Sequence, residues 1–564
     1  MFHRPKDATR RTVLLGCALA ALAPAAAGAQ DASPAPCDTL TAEAIGTDNL
    51  AITSVEHVEG MEEAAVPHCI LRGALDQRTG ADGKSFAIGF EMRLPDTWNG
   101  RFFHQANGGA DGVVVPAVGK LLGGGTADNA LSHHYAVLSS DAGHDAKGFP
   151  ERGLAGGSAF GLDAQARLDY GYQSTPKLYA LAVNVLNARY GEPPAYSYMV
   201  GCSNGGRHGM VAAERTPDLY DGILAGAPGF NLPKAALKGP NDIQAAERNG
   251  LELRSAFSRD DMRLVGEKVR AACDALDGAE DGIIGDLRQC QATFDPATLA
   301  CGAEGGSGCL TKAQTTALQG FLAGPTTSDG RSLYAAFPWD TGLGGENWRL
   351  WRLESKVKPW DNYPLTTTLG GASLAMIFTT PPTEVDGTPE ALRAFQSGFD
   401  LDTDAEKIFA TTDAFPVSPM AFMTPPHADD PDLADFRASG GKMILFHGVS
   451  DPTFSINDTI AWYEKLDANT GGDAASVARL YPIPGMTHCS GGPSTDDISL
   501  FRDLVDWVEN DEAPASPVAT VRADNLEIPE GWSRTRSRPL CAWPTVARYD
   551  GSGDLEDASS FRCE

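Results

Sequence analysis

The chemistry of this chain begins at "GCSNG", residues 201–205, which fits G-x-S-x-G, the sharp strand-to-helix turn that exposes a nucleophilic serine. A neutral serine hydroxyl is a weak nucleophile, so Ser203 needs a base within hydrogen-bond reach and a third group to orient that base. The chain order for this motif is serine, acid, histidine. Asp451 in "GVSDP" and His488 in "PGMTHC" supply that order, each in a loop after a strand-like run. The expected roles are Ser203 attacking an acyl carbonyl, His488 moving the proton and Asp451 holding the imidazolium. His104, His208 and His447 are weaker bases. His208 falls one helical turn past Ser203, and the other two lie in or at the end of strands. Oxyanion donors are expected from the Asn204 amide and from "NGG" at 107–109, with Gly108 the candidate.

A cysteine follows the histidine as one precedes the serine. A Cys202–Cys489 bridge would hold the two Cα atoms about 4.4–6.8 Å apart and so keep Ser203 and His488 within reach of each other.

The elements that position these groups alternate between strand and helix signals. "FAIGFEMRLP", "RFFHQANGG", "YAVLSSDAG" and "YSYMVGCS" read as strands ending in loops, and residues 161–191 carry helical apolar spacing over their second half. That rhythm predicts an α/β fold with a mainly parallel sheet. It breaks at 230–439, where four cysteines, several tryptophans and an aspartate cluster gather, and it returns at "KMILFHGVSD". The expectation is one catalytic domain from 37–229 and 440–564, interrupted by a lid at 230–439; two consecutive domains are the alternative.

The chain has 564 residues and a formal charge of −29, which argues against nucleic acid or anionic membranes as partners. Basic residues followed by an apolar run and Ala27-Gly28-Ala29 have the layout of a secretory signal over 1–29, by the general or the twin-arginine route. Its removal leaves ten of eleven cysteines and a charge of about −32. An even count in an exported chain suggests five disulfides, with Cys301/Cys309 and Cys541/Cys563 as local pairs. Zinc spacing is missing. In "CDALDGAEDGIIGD", Asp274, Asp277 and Asp281 offer hard oxygens that suit calcium; a solvated acidic loop is the alternative.

"GCSNGGR", "HGVSDP", "GMTHCSGGP" and "GLDAQARLDYGYQ" together resemble the tannase and feruloyl esterase family of exported serine esterases. The resemblance implies an α/β-hydrolase fold with a large inserted lid, the triad Ser203–Asp451–His488 and the Cys202–Cys489 bridge. It implies the pairs Cys37–Cys69, Cys273–Cys290, Cys301–Cys309 and Cys541–Cys563. It also implies a structural calcium ion in the lid, with carbonyl ligands from Ala279 and Ile283, and no organic cofactor.

Family substrates are small esters of phenolic acids, and one branch takes the mono-hydroxyethyl ester of terephthalate. Phe454 matches a ring-packing position, with Trp360 and Phe378 as further candidates from the lid. The carboxylate-binding arginine of the terephthalate branch falls near Leu374, and no arginine is close by in sequence. The expectation is a secreted esterase of aromatic acids. The alternatives are the terephthalate monoester hydrolase and, from another class, a calcium-stabilised binding protein without catalysis.

Overall fold

A computed structural model describes residues 34–61, 64–122, 128–302 and 308–564. The signal expected over 1–29 lies outside the described residues. The core element is a nine-stranded sheet in the order β1-β2-β3-β5-β4-β6-β7-β8-β9. Its strands are β1 (Leu50–Val58), β2 (His68–Thr79), β3 (Ser85–Pro95), β4 (Arg101–Ala106), β5 (Ala136–Ser140), β6 (Tyr196–Cys202), β7 (Gly222–Gly226), β8 (Lys442–Gly448) and β9 (Ala478–Ile483).

β1, β2, β3 and β5 pair antiparallel, whereas every pairing from β5 through β4, β6, β7 and β8 to β9 is parallel. The sheet is therefore mixed, and the parallel half carries the chemistry. "GILAG" in β7 and "AVLSS" in β5 are buried throughout, as strands covered on both faces must be. On one face they meet Leu181, Val185 and Trp462, and on the other Phe501, Leu504 and Trp507.

Among the described residues, no strand of this sheet falls between β7 and β8. That stretch is helical and takes part in two further apolar cores, the second shared with residues that precede β6. One gathers around Phe257, Val265, Leu318 and Trp348, and the other around Phe160, Leu374, Met376 and Phe422. The buried guanidinium of Arg167 fastens the second core to the helices before β6. It donates to the carbonyls of Gly161, Met376 and Thr379.

The last fifty residues are not part of the sheet. They form two short ribbons, Val518–Thr520 with Ser537–Pro539 and Ala547–Tyr549 with Phe561–Cys563. These ribbons lie against the aspartate-rich loop: Arg536 donates to the Asp281 carbonyl at 2.7 Å, Arg538 pairs with the Asp281 carboxylate, and Arg548 reaches Asp286 at 2.6 Å.

Among the described residues there are five disulfides: Cys37–Cys69, Cys202–Cys489, Cys273–Cys290, Cys301–Cys309 and Cys541–Cys563. Their Cα separations run from 4.9 to 6.0 Å. Among the described residues no helix is long and apolar enough to cross a membrane.

Candidate active site

β6 ends at Cys202, and the next residue turns the chain into the helix Asn204–Arg215. Ser203 sits at φ +66°, ψ −124°, a conformation that L-residues adopt only under constraint. The constraint is steric. A side chain on Gly201 would meet the Ala106 carbonyl at 2.7 Å, and one on Gly205 would meet it at 2.3 Å. The turn is thus pressed against the end of β4, and only glycines allow that approach.

The Ser203 hydroxyl faces His488 Nε2 at 2.9 Å, and His488 Nδ1 faces Asp451 Oδ2 at 2.8 Å. Asp451 is 2% exposed. Its Oδ1 accepts the amides of Thr453 and Phe454 at 2.7 and 3.0 Å, and His447 stands 3.5 Å from Oδ2. Burial works to raise this carboxyl, but the charge of His488 and hydrogen bonds from both histidines hold it well below the usual carboxylate range. The three groups named from sequence come together in one hydrogen-bonded line.

Cys202 and Cys489 are bonded with their Cα atoms 6.0 Å apart, so the residue before the serine is tied to the residue after the histidine. Gly108 lies against the same turn, since a side chain there would meet the Cys202 carbonyl at 3.4 Å and Ser203 Cβ at 3.7 Å. The Asn204 amide opens the helix Asn204–Arg215, where backbone N–H groups are free to meet negative charge.

Two aromatic rings stand edge-on to the imidazole: Phe454 at 5.5 Å and Trp351 at 5.1 Å between centroids. Phe454 packs so closely on Gly229 that a side chain there would come within 2.4 Å of the ring. Behind it, Lys238 Nζ lies 5.9 Å from the ring centroid. Burial, aided by the charge of Arg352, pushes this ammonium down to about 7.

Of the other aromatic candidates, Trp360 is half-buried at the end of the otherwise exposed turn Lys358–Trp360, and Phe378 is 4% exposed inside the helical core with Met376 and Ile377. Leu374 is fully buried in that core. The insertion's tryptophan at the histidine is Trp351. In "WRLW", Trp348 and Trp351 fall three apart on the helix Glu346–Arg352, one buried and one half-buried, a spacing that makes them neighbours without telling which one reaches the histidine.

The three weaker candidates are each held by other partners. His104 bonds Tyr220 at 2.7 Å, His447 bonds Thr459 and the Phe454 carbonyl, and His208 bonds Asp111 at 2.9 Å.

In the aspartate-rich loop, Asp274 accepts the amides of Asp281 and Gly282, Asp277 those of Ala279 and Gly285, and Asp281 that of Ile283. Burial and then the neighbouring charges of Asp281 and Asp274 push Asp277 up to about 7. Among the described residues no three acidic, histidine or cysteine side chains are gathered as a metal-binding group. A cation here would therefore draw on carbonyl oxygens as well as carboxylates, as calcium does.

A mixed sheet with serine, histidine and aspartate aligned at the ends of its parallel strands has the architecture of an α/β-type hydrolase. A family profile described as "Tannase and feruloyl esterase" matches residues 73–564. The chain belongs to that family and is a carboxylic ester hydrolase.

Among its relatives is a mono(2-hydroxyethyl) terephthalate hydrolase of Piscinibacter sakaiensis, 41% identical over 533 residues and covering 89% of this chain and 85% of that protein. A probable feruloyl esterase of Arthroderma benhamiae is 30% identical over 492 residues, 84% of this chain and 81% of that one. Feruloyl esterase B from Aspergillus oryzae shares the fold with a TM-score of 0.67 at 22% identity, covering 94% of this chain and 99% of that chain.

Proposed function

We propose that this protein is an exported serine carboxylesterase that cleaves esters of aromatic acids through an acyl-enzyme. The observation that carries the reading is the hydrogen-bonded line Ser203–His488–Asp451 with Phe454 and Trp351 edge-on to its imidazole. Ser203 Oγ attacks the ester carbonyl as its proton passes to His488 Nε2. The oxyanion is met by the amides of Asn204 and Gly108, and His488 returns the proton to the leaving alcohol. Water, deprotonated by His488, then releases the acid. The two rings give the acyl or leaving group an aromatic wall next to the base.

Esters of terephthalate are a second reading, favoured by the 41% identical relative named for a terephthalate monoester. Residues 230–439 serve in this account as the lid that supplies Trp351. A structural calcium ion there would have to draw together the carboxylates of Asp274, Asp277 and Asp281 along with the carbonyls of Ala279 and Ile283. Those carboxylates are engaged with backbone amides and Arg538 and not gathered as a metal-binding group, and no step of the chemistry runs through the ion. Five disulfides support an oxidising compartment for the mature chain.

The test is hydrolysis of methyl gallate, methyl ferulate and a terephthalate monoester by wild-type protein and Ser203→Ala. Activity on at least one ester is expected, falling by about 10⁶-fold in the variant, with a serine-directed phosphonate labelling Ser203 in the wild type. Unchanged hydrolysis in Ser203→Ala would sink the mechanism.

A further inference from the structure

Four side chains behind the nucleophile close a hydrogen-bonded ring. Asn204, Arg207 and His208 lie on the helix that follows Ser203, and Asp111 lies on the loop after β4 that carries Gly108. Asp111 Oδ2 accepts from Asn204 Nδ2 at 2.7 Å and pairs with His208 Nε2 at 2.9 Å. The Arg207 guanidinium donates through Nε to Asn204 Oδ1 at 2.6 Å and lies 3.1 Å from His208 Nδ1. Arg207 Nη2 lies 3.3 Å from His208 Nε2 as well, and Asn204 Nδ2 stands at the same distance, so all four side chains crowd on the ring nitrogen that faces Asp111. Burial pushes the Asp111 carboxyl well above its ordinary range, while the charge of Arg207 and the hydrogen bond from Asn204 work to lower it. The counter-charge is Arg207, fully buried, which also holds the carbonyls of Tyr170, Gly171 and Met423.

This ring spans a gap in the backbone. The two proposed oxyanion donors come from segments far apart in sequence, Gly108 after β4 and Asn204 after β6. Around Gly108 the loop is short and strained: Asp111 donates its amide to the Gly108 carbonyl at 3.2 Å and holds φ +54°. Its other anchors run back to the sheet and to Tyr170: Asn107 donates to the Ser139 hydroxyl and the Ser140 carbonyl and accepts from Gln105, Gly112 donates its amide to the Asp141 carbonyl, and the Tyr170 hydroxyl meets the Gly109 carbonyl. Among these contacts, Asp111 alone ties the loop to the nucleophile helix itself.

We propose that Asp111 is the positioning residue of the oxyanion hole, bolting the Gly108 loop to Asn204 so that both amides converge on one developing charge. This rests on the esterase reading above. A displacement of about 1 Å in such a donor costs on the order of 10²-fold in rate, and a buried donor left without its acceptor loosens the turn further.

The test uses the full disulfide-bonded enzyme with Asp111→Ala and Asp111→Asn, the second keeping an acceptor for Asn204 Nδ2. Expected for Asp111→Ala is a drop in kcat of about 10²-fold with KM unchanged. A boronic acid that forms a tetrahedral adduct on Ser203 should lose affinity by the same factor, while binding of the product acid stays as in wild type. Asp111→Asn should fall between the two. Full kcat in folded Asp111→Ala overturns the proposal, and so does a parallel loss of product-acid and boronate affinity with a lowered Tm, which would mark a scaffold role only. If wild-type protein hydrolyses no ester, the esterase reading fails instead; wild-type turnover with an unaffected Asp111→Ala fails this inference alone.

Discussion

Asp451 and Lys238 are both removed from water near the Phe454 ring, and burial affects them in opposite ways. Every oxygen of Asp451 has a donor, two amides on Oδ1 and histidines at Oδ2, so it stays ionised through the acid range. Among the described residues the Lys238 ammonium makes no hydrogen bond or ion pair; the charged groups facing it are Arg352, Asp242 and Asp451. Arg352 and Asp242 already neutralise each other in a two-point pair at 2.7 and 2.8 Å. Lys238 is thus a surplus buried cation, held at about 7 when folded and near 10.4 when unfolded. Between those values the unfolded chain binds more protons, so stability rises with pH across that window, and the full penalty applies below pH 7. Lys238→Met should therefore raise Tm most at pH 6 and progressively less toward pH 10, as thermal unfolding at a series of pH values would read. A shift that is the same at pH 6 and pH 10 would contradict the assignment.

At the level of elements, the Cys202–Cys489 bridge decides how the strand ends meet. β6 delivers the serine and the loop after β9 delivers the histidine, with β7 and β8 lying between them in the sheet. The bridge closes 287 residues of chain across that distance, whereas Cys301–Cys309 closes 8 in the insertion. Replacing both Cys202 and Cys489 by serine should lower kcat at least tenfold, about 1.4 kcal/mol in the barrier, at a temperature where the protein stays folded. The Cys301/Cys309 double variant should keep wild-type kcat. Steady-state kinetics on the two variants side by side would show it, and equal losses would sink the idea of a site-specific clamp.

The same elements explain what the sequence made readable. Buried parallel strands need unbroken apolar runs, so "YMVGC" and "MILFHG" announce β6 and β8 and, with them, the loops that hold Ser203 and Asp451. β1 and β2 do not fit that rhythm because they are antiparallel additions at one edge, half exposed along β1. Trp351 is less legible for a related reason: whether a tryptophan of the helical stretch between β7 and β8 turns to the core or to the histidine depends on the packing of a seven-residue helix, which spacing alone does not report.

Across the whole molecule, the aspartate-rich loop is where the insertion and the C-terminal ribbons meet. Arg536 and Arg538 hold Asp281 from the first ribbon, and Arg548 from the second holds Asp286 and the Leu276 carbonyl. Cys273–Cys290 brackets that loop on the insertion side, and Cys541–Cys563 brackets the ribbon on the other. The candidate calcium ligands therefore lie at a seam between two parts of the chain, well removed in sequence from Ser203 and His488. An ion there would brace the seam without touching the acyl transfer, because binding to the folded chain alone adds stability as ligand concentration rises above its Kd. Chelation should lower Tm, and adding calcium back should restore it, with kcat at a temperature below both transitions unchanged. Asp277→Asn should blunt that calcium-dependent shift. A Tm indifferent to chelator and calcium alike would leave the loop as an arginine-paired acidic turn, held by Arg536, Arg538 and Arg548 alone.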